Sequence, residues 1–118
     1  MTSPGFLGWA VFSRCDKLLF ELHQDLFFVD LIGHLHKVPA GYVSDLGSVP
    51  RLLWPLLPPH EYPSSYFLHD YGYSQQDDPR EIVDLRLYDS LLLSNAPKKK
   101  SLLIYKGVAA FGGRHWQG

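Results

Sequence analysis

The chain has 118 residues, 46% of them hydrophobic, with 11 basic and 12 acidic side chains and a single cysteine. This composition excludes a disordered chain, a protein that grips nucleic acid non-specifically by its net charge, and a fold that depends on an internal disulfide. No apolar run approaches the roughly 20 residues that span a bilayer, and the start, MTSPGFLGWAVF, lacks the basic beginning of a secretory signal. We therefore expect one soluble domain over residues 1–118, made in a reducing cytoplasm.

Residues 1–45 are predicted to be rich in β-structure. Aromatic and β-branched residues are frequent in four stretches separated by turn residues: GWAVFS, KLLFELH, LFFVDLI and HLHKVP. The segment VPAGYVSD, residues 38–45, is typical of a last strand with Gly41 at a bend or bulge. The pattern predicts a small antiparallel sheet.

Residues 46–63 are predicted to cross between the two halves without regular structure. Five prolines between Pro50 and Pro63 exclude a long helix or a central strand. The segment RLLWPLL is nevertheless too apolar for a solvated linker. We expect a packed irregular crossover with room for one helical turn.

Residues 64–113 are predicted to form three helices. The first runs from about 64 to 74. The second begins with Asp78 as N-cap and Pro79 in the first position and ends near 94. The third covers about 97–111 and stops at Gly112. Residues 114–118 are expected to be an exposed tail whose Trp116 packs on the domain or on a partner. The fold class is α+β.

The turn between the first two helices is short, so they are expected to be antiparallel neighbours. His69 and Asp84 each lie about five residues from this turn, or ~8 Å at the helical rise, and should face each other. Tyr73 shares a face with His69, and both Tyr73 and Tyr88 are expected within reach of the Asp84 carboxylate. A carboxylate on one imidazole nitrogen makes the other nitrogen a better base for a water proton. Asp70 points elsewhere, as a ligand for a hard cation would.

The pattern His69-Asp70-x-x-Tyr73, followed by Asp84 on an antiparallel helix, resembles the active-site hairpin of phospholipase A2 enzymes. It is most similar to disulfide-free versions such as the domain in parvovirus capsid proteins. The resemblance implies that His69 is the base, that Asp84 and Tyr73 orient it, and that Asp70 binds calcium. Loop carbonyls from Asp45 to Ser48 would complete the calcium site. A lipid or cell-envelope substrate is implied.

A longer stretch is similar to a family of small uncharacterised proteins of tailed phages and prophages. That family carries a signature of the type VPxGFxTDxxSxP, then HDxxY, then an Asp in a helix and a final helix ending in Gly. Its elements run here from Val38 to Gly113, with Tyr42 where Phe is usual and Ser44 where Thr is usual. The resemblance implies synthesis in a host cell, with the virion as a further location. This resemblance does not imply any particular biochemical activity.

Plainer interpretations stay open for the candidate residues. His69 is equally suited to be a buried histidine that ties two helices together through Asp84. Asp45 is more typical of a turn cap than of a metal ligand or base. Ser48 is favoured as a structural hydroxyl over a nucleophile. Arg51 is expected to pair with Asp45 rather than to bind an anion.

Four other features of the sequence each allow two interpretations. His34 and His36 share a strand face and are typical of a solvated face more than of a zinc site. His60 lies in the crossover, where it can approach the mouth of the His69 site. Lys98–Lys100 are expected to form a solvated helix start, with membrane or phosphate contact as the alternative. The aromatic cluster is expected to be core, with a lipid-facing rim as the alternative; it comprises Trp54, Tyr66, Phe67 and Tyr71.

Three function classes follow from these features. The first is a His/Asp hydrolase of an ester or amide, assisted by calcium. The second is a non-enzymatic structural or interaction protein associated with the virion or tail. The third is a phage protein that blocks a host defence protein by binding it. The near-neutral charge argues against a nucleic-acid partner.

Overall fold

The structure, a computed structural model, describes residues 3–116, without the side chains of residues 114 and 115. Within this range the fold is α+β, as predicted: strands fill the N-terminal half and helices the C-terminal half. Six short strands precede residue 45: β1 (Gly5–Phe6), β2 (Phe12–Asp16), β3 (Leu19–Leu22), β4 (Leu26–Val29), β5 (Leu35–Val38) and β6 (Val43–Ser44).

The strands form two antiparallel three-stranded sheets rather than the one sheet predicted. One sheet has the order β1–β4–β5 and the other β2–β3–β6. The chain passes from one sheet to the other three times, after β1, after β3 and after β5. In the turn between β3 and β4, the Asp25 side chain accepts the Ala40 N–H at 2.8 Å. Gly41 bends the chain before β6 with a φ of 89°, as its predicted position at a bend requires.

The crossover is packed and irregular, with one turn of 3₁₀ helix at Arg51–Leu53. Leu57 is buried, and the Trp54 indole donates a hydrogen bond to the Val49 carbonyl at 3.0 Å. These contacts replace regular backbone pairing in a segment that proline prevents from forming a helix.

The helices are α1 (Pro63–Gln75), α2 (Arg80–Leu93), α3 (Lys98–Phe111) and the single turn α4 (Gly113–Trp116). The first three lie within two residues of their predicted ends. Asp78 as N-cap was wrong: Pro79 takes the cap position, and the Asp78 carboxylate accepts from Arg86 Nη2 at 2.6 Å. The predicted tail begins as a helical turn, and Trp116 packs on the domain through Tyr73. Residues 117 and 118 of the tail lie outside the described range.

One hydrophobic cluster contains residues from both halves, among them Phe28, Tyr66, Leu87 and Ile104, all fully buried. Tyr66 and Phe67 of the aromatic cluster belong to this core, whereas Trp54 and Tyr71 are half-buried at its edge. Along residues 3–116, every helix is too short or too polar to traverse a bilayer.

Helices α1 and α2 approach closely at Gly72. A Cβ atom built there would lie 2.7 Å from Val83 Cγ1, well inside van der Waals contact. Because Gly72 lacks this atom, the two backbones come near enough for short polar side chains to bond across the hairpin.

Candidate functional site: a buried His/Asp cluster

His69 lies at the centre of a buried polar cluster between α1 and α2. It is 1% exposed, and its Nε2 lies 2.8 Å from Oδ1 of Asp84, which is 2% exposed. The predicted contact across the hairpin is therefore present. With Asp84 ionised, Nε2–H donates to the carboxylate and leaves Nδ1 as an acceptor.

Tyr73 and Arg80 complete the surroundings of the Asp84 carboxylate. The Tyr73 hydroxyl donates to Asp84 Oδ1 at 2.6 Å, and its ring packs on the His69 ring with centroids 4.5 Å apart. Arg80 Nε lies 3.6 Å from Asp84 Oδ2. Burial, then the hydrogen bond to Asp84, raises the pKa of Tyr73 above its usual range, so the phenol remains a donor.

Ser48 forms a hydrogen bond with the second ring nitrogen of His69, Nδ1. Its Oγ lies 2.9 Å from His69 Nδ1, and Ser48 is 2% exposed. The hydroxyl donates to Nδ1 when Nε2–H is bonded to Asp84. Ser48, His69 and Asp84 thus form a continuous hydrogen-bonded chain, and the nitrogen that a water-activating base needs is already bonded.

Asp70 is held by the segment from Tyr42 to Ser48. Its Oδ2 accepts hydrogen bonds from the Tyr42 hydroxyl at 2.9 Å and from the Ser44 hydroxyl, and its Oδ1 accepts the Ser48 N–H at 3.3 Å. Burial and the neighbouring Asp70 raise the pKa of Tyr42, which keeps this phenol protonated as well. The two signature stretches, VPAGYVSDLGSVP and HDYGY, therefore meet in space through these hydrogen bonds.

The remaining predicted site residues lie apart from this cluster. Asp45 is exposed, and its Oδ1 accepts the Gly47 N–H at 2.8 Å, which is the turn cap expected of it. The predicted pair of Arg51 with Asp45 is absent from the described ion pairs. Arg51 is exposed, and its Cζ lies 5.4 Å from the centre of the Trp54 ring.

One further expectation about this region was wrong, and another stays a prediction. Tyr88 packs on Tyr105 of α3, with ring centroids 5.7 Å apart, and in the described structure it makes no hydrogen bond with Asp84. His60 lines a surface pocket of about 210 Å³, together with apolar residues that include Leu46 and Trp54, and its approach to the His69 site stays a prediction.

Of the histidine pair, His34 precedes β5 and His36 lies on it, and both make a hydrogen bond with Asp30, beside the turn that precedes this strand. His36 Nε2 lies 2.8 Å from Asp30 Oδ2, and the His34 backbone N–H donates to Asp30 Oδ1 at 2.9 Å. Over the described residues, no three or more His, Cys, Asp or Glu side chains are grouped to hold a metal ion. His34 is exposed, as the solvated-face interpretation expects.

The residues around Asp70 do not fit the calcium that the phospholipase resemblance implies. A calcium site presents six to eight oxygen lone pairs to the ion. Here two hydroxyls and one N–H point their hydrogens at the Asp70 carboxylate, and Asp45, the second predicted acidic ligand, faces solvent. These three hydrogen-bond donors stabilise the Asp70 carboxylate and leave it without the neighbouring oxygen ligands that a calcium ion requires.

Sequence reasoning missed several contacts of the cluster: Arg80 at Asp84, Ser48 at His69, and Tyr42, Ser44 and the Ser48 N–H at Asp70. Arg80 stands four residues before Asp84 on one helix, a spacing that could have indicated it. Tyr42 and Ser48 belong to the first signature stretch, and its recurrence beside HDxxY was the available sign that the two stretches touch.

Comparison with known proteins gives a family and no activity. Neither a curated protein nor a solved structure matches this chain. A family model described as "Protein of unknown function (DUF1353)" matches residues 20–108, which include Ser48, His69, Asp70 and Asp84. The match covers well over half of the chain, and the protein belongs to this family of unknown function.

Proposed function

We propose that this chain is a phage- or prophage-encoded interaction protein in which the His69 cluster is a structural lock. The observation that carries the proposal is the closure of the cluster. Both ring nitrogens of His69 are hydrogen-bonded inside the protein, and His69, Ser48 and Asp84 are each at most 2% exposed. The phage origin is supported by the signature that runs from Val38 to Gly113.

The closure argues against activation of a water molecule. A general base needs a free nitrogen within about 2.6–3.2 Å of the proton it removes. Ser48 Oγ occupies that position at Nδ1, and Nε2 faces Asp84. Among the described residues, every buried side-chain nitrogen or oxygen has a hydrogen-bond partner. The cluster therefore offers no unpaired polar atom to which a ligand could bind.

As a lock, the cluster joins three parts of the chain. His69 connects α1 to α2 through Asp84, and it connects α1 to the loop after β6 through Ser48. Asp70 adds Tyr42 and Ser44 to the same junction. Each buried group that loses its partner costs about 1–3 kcal/mol, so the set can hold the irregular segment in place.

The exposed surface then provides the contacts with partners. Large apolar side chains are exposed at Trp9 (78% exposed) between β1 and β2, at Ile32 (77%) between β4 and β5, and at Leu52 (89%) in the 3₁₀ turn. Tryptophan is among the residues most enriched at the energetic hot spots of protein interfaces, so Trp9 is the strongest candidate anchor. Virion or tail proteins and a host defence protein are the partner classes of this proposal.

The test is a pair of measurements on the purified chain. We expect no calcium-dependent rise in Tm and no hydrolysis of ester, amide or phospholipid substrates above that of Ser48→Ala. Calcium-dependent turnover that Asp70→Asn abolishes would overturn the proposal in favour of the phospholipase-like enzyme. Asp77→Asn, an exposed acid on the α1–α2 turn, is the matched control.

A serine hydrolase is the second candidate, and one observation favours it. A hydroxyl that donates to an imidazole, which is backed by a carboxylate, is the arrangement that activates a serine nucleophile. Ser48, His69 and Asp84 have this order, and Leu46, two residues before Ser48, has a φ of 58°, which is unusual outside glycine. This function requires the loop around Ser48 to open.

A fluorophosphonate probe separates the two candidates. Such a probe phosphonylates an activated serine hydroxyl and releases fluoride. Labelling of the wild-type chain that is lost in both Ser48→Ala and His69→Gln would establish the hydrolase. Absence of labelling in wild type, beside a serine hydrolase labelled in parallel, supports the interaction protein.

A further inference from the structure

Basic charge is concentrated at the C-terminal end of this nearly neutral chain. The first 89 residues contain six basic and twelve acidic side chains, whereas the last 29 contain five basic and none acidic. A charge asymmetry of this kind indicates an anionic partner for one end of the molecule. At physiological salt the attraction acts over about 8 Å, so the position of the charges decides what they can bind.

Four of these basic residues lie on α3, which presents a mixed basic and apolar face to solvent. Its buried side is formed by Ser101, Ile104 and Val108. At 100° per residue, the opposite side projects a set of five exposed residues, here called the outer face of α3. These residues are Lys99, Leu102, Leu103, Lys106 and Ala110.

All four lysines of α3 are exposed. Lys98, Lys99 and Lys100 occupy the first turn, where the positive end of the helix dipole disfavours cations. In the part of the chain that the structure describes, no ion pair includes any of them or Lys106. A charge arrangement that opposes helix stability and has no internal partner points to an external one.

The apolar members of the face indicate what kind of partner this is. Leu102 and Leu103, 38% and 51% exposed, flank the line from Lys99 to Lys106. The face carries no arginine and no aromatic ring, the groups that read and stack nucleic-acid bases. Lysines with interleaved aliphatic side chains are typical of a surface that meets anionic headgroups and the boundary of the acyl chains.

We propose that the outer face of α3 docks the protein on an anionic lipid surface. The ammonium groups of Lys99 and Lys106 meet headgroup phosphates, and Leu102 and Leu103 enter the boundary below them. Lys98 and Lys100 add to the attraction from the end of the helix. This inference deepens the proposed function by naming one partner of the interaction protein. It rests on that proposed function in one respect, namely that the exposed surface is where the protein binds its partners.

The test is co-sedimentation of the full chain with lipid vesicles. We expect binding to vesicles of phosphatidylglycerol mixed with phosphatidylcholine and none to phosphatidylcholine alone. Because a lysine near an anionic surface contributes about 1 kcal/mol, Lys99→Gln with Lys106→Gln should lower the partition coefficient about 30-fold. Leu103→Ser should lower it about tenfold.

A charge-matched control shows that position, rather than net charge, is responsible. Lys17→Gln with Lys37→Gln removes two exposed lysines elsewhere and should bind as wild type does. All the substituted residues are exposed, and circular dichroism melting checks that each variant is folded.

Three results would overturn the inference: no binding to anionic vesicles, equal loss of binding in the control, or loss in the lysine variant with none in Leu103→Ser. The last result would assign the face to an acidic macromolecule. Serine labelling at Ser48 would overturn the interaction-only function and leave the vesicle result standing. Failure of vesicle binding alone would leave the structural lock standing.

Discussion

Replacing Asp84 with alanine tests the lock directly. The substitution removes the acceptor of two buried donors, His69 Nε2–H at 2.8 Å and the Tyr73 hydroxyl at 2.6 Å. A buried donor without an acceptor costs about 1–3 kcal/mol, so the pair predicts a loss of about 2–6 kcal/mol in the free energy of unfolding. Relief from burying the carboxylate itself offsets part of this, and we expect a net loss of about 3 kcal/mol.

A loss of this size is large against the total stability of about 5–15 kcal/mol that a domain of this kind has. It should lower Tm by about 10 °C or more, because 1 kcal/mol shifts Tm by roughly 3–5 °C at this chain length. The assay is guanidinium unfolding followed by circular dichroism. Glu81→Ala is the control, since Glu81 lies on the same helix, is exposed, and makes no side-chain hydrogen bond in the described structure.

Should Asp84→Ala fail to fold, Tyr73→Phe gives the same information on a smaller scale. It removes one donor without a large cavity and should cost about 1–2 kcal/mol. An Asp84→Ala chain within about 0.5 kcal/mol of wild type would refute the reasoning, because the buried donors would then have other partners.

Three more predictions follow from packing and from shifted pKa values. Gly72→Ala should lower the free energy of unfolding by about 1–3 kcal/mol in urea titration, since the new Cβ would lie 2.7 Å from Val83 Cγ1; full stability would show that the helices can separate. In spectrophotometric titration, fewer than all seven tyrosines should ionise just above pH 10, because burial raises the pKa of three of them, and a full count would contradict their burial. The three are Tyr42, Tyr66 and Tyr73. Burial, then repulsion from Asp30, raises the pKa of Asp89, so the fold prefers its protonated form; its contribution is present below the unfolded pKa of 3.8 and is lost as pH rises through the folded pKa. Asp89→Asn should therefore raise Tm at pH 7 but not at pH 3, and a gain equal at both pH values would contradict this.

The helical half was predictable because its signals are local. Proline marks the starts of α1 and α3, and glycine marks the end of α3. The short turn before α2 forces antiparallel packing, which places Asp84 against His69. These relations depend on residues close in sequence, so spacing alone determines them.

The partners of the signature loop were not predictable in this way. Ser48 and Tyr42 reach α1 from more than 20 residues away, through an irregular segment that has no periodicity to fix its direction. The division into two sheets was missed for a related reason. The length of a strand and the alternation of its polar and apolar residues do not determine which other strand it pairs with.

The adjacency of His69 and Asp70 has a consequence for how the chain can be divided. One of these two consecutive residues binds the chain that follows residue 80, and the other binds the chain that precedes residue 49. The segments before and after α1 each hold only one partner of these hydrogen bonds, because the other partner, His69 or Asp70, lies on α1. A fragment that ends before α1 or begins after it should therefore not fold alone. Deletions and domain grafts of this protein should therefore keep residues 42–84 intact.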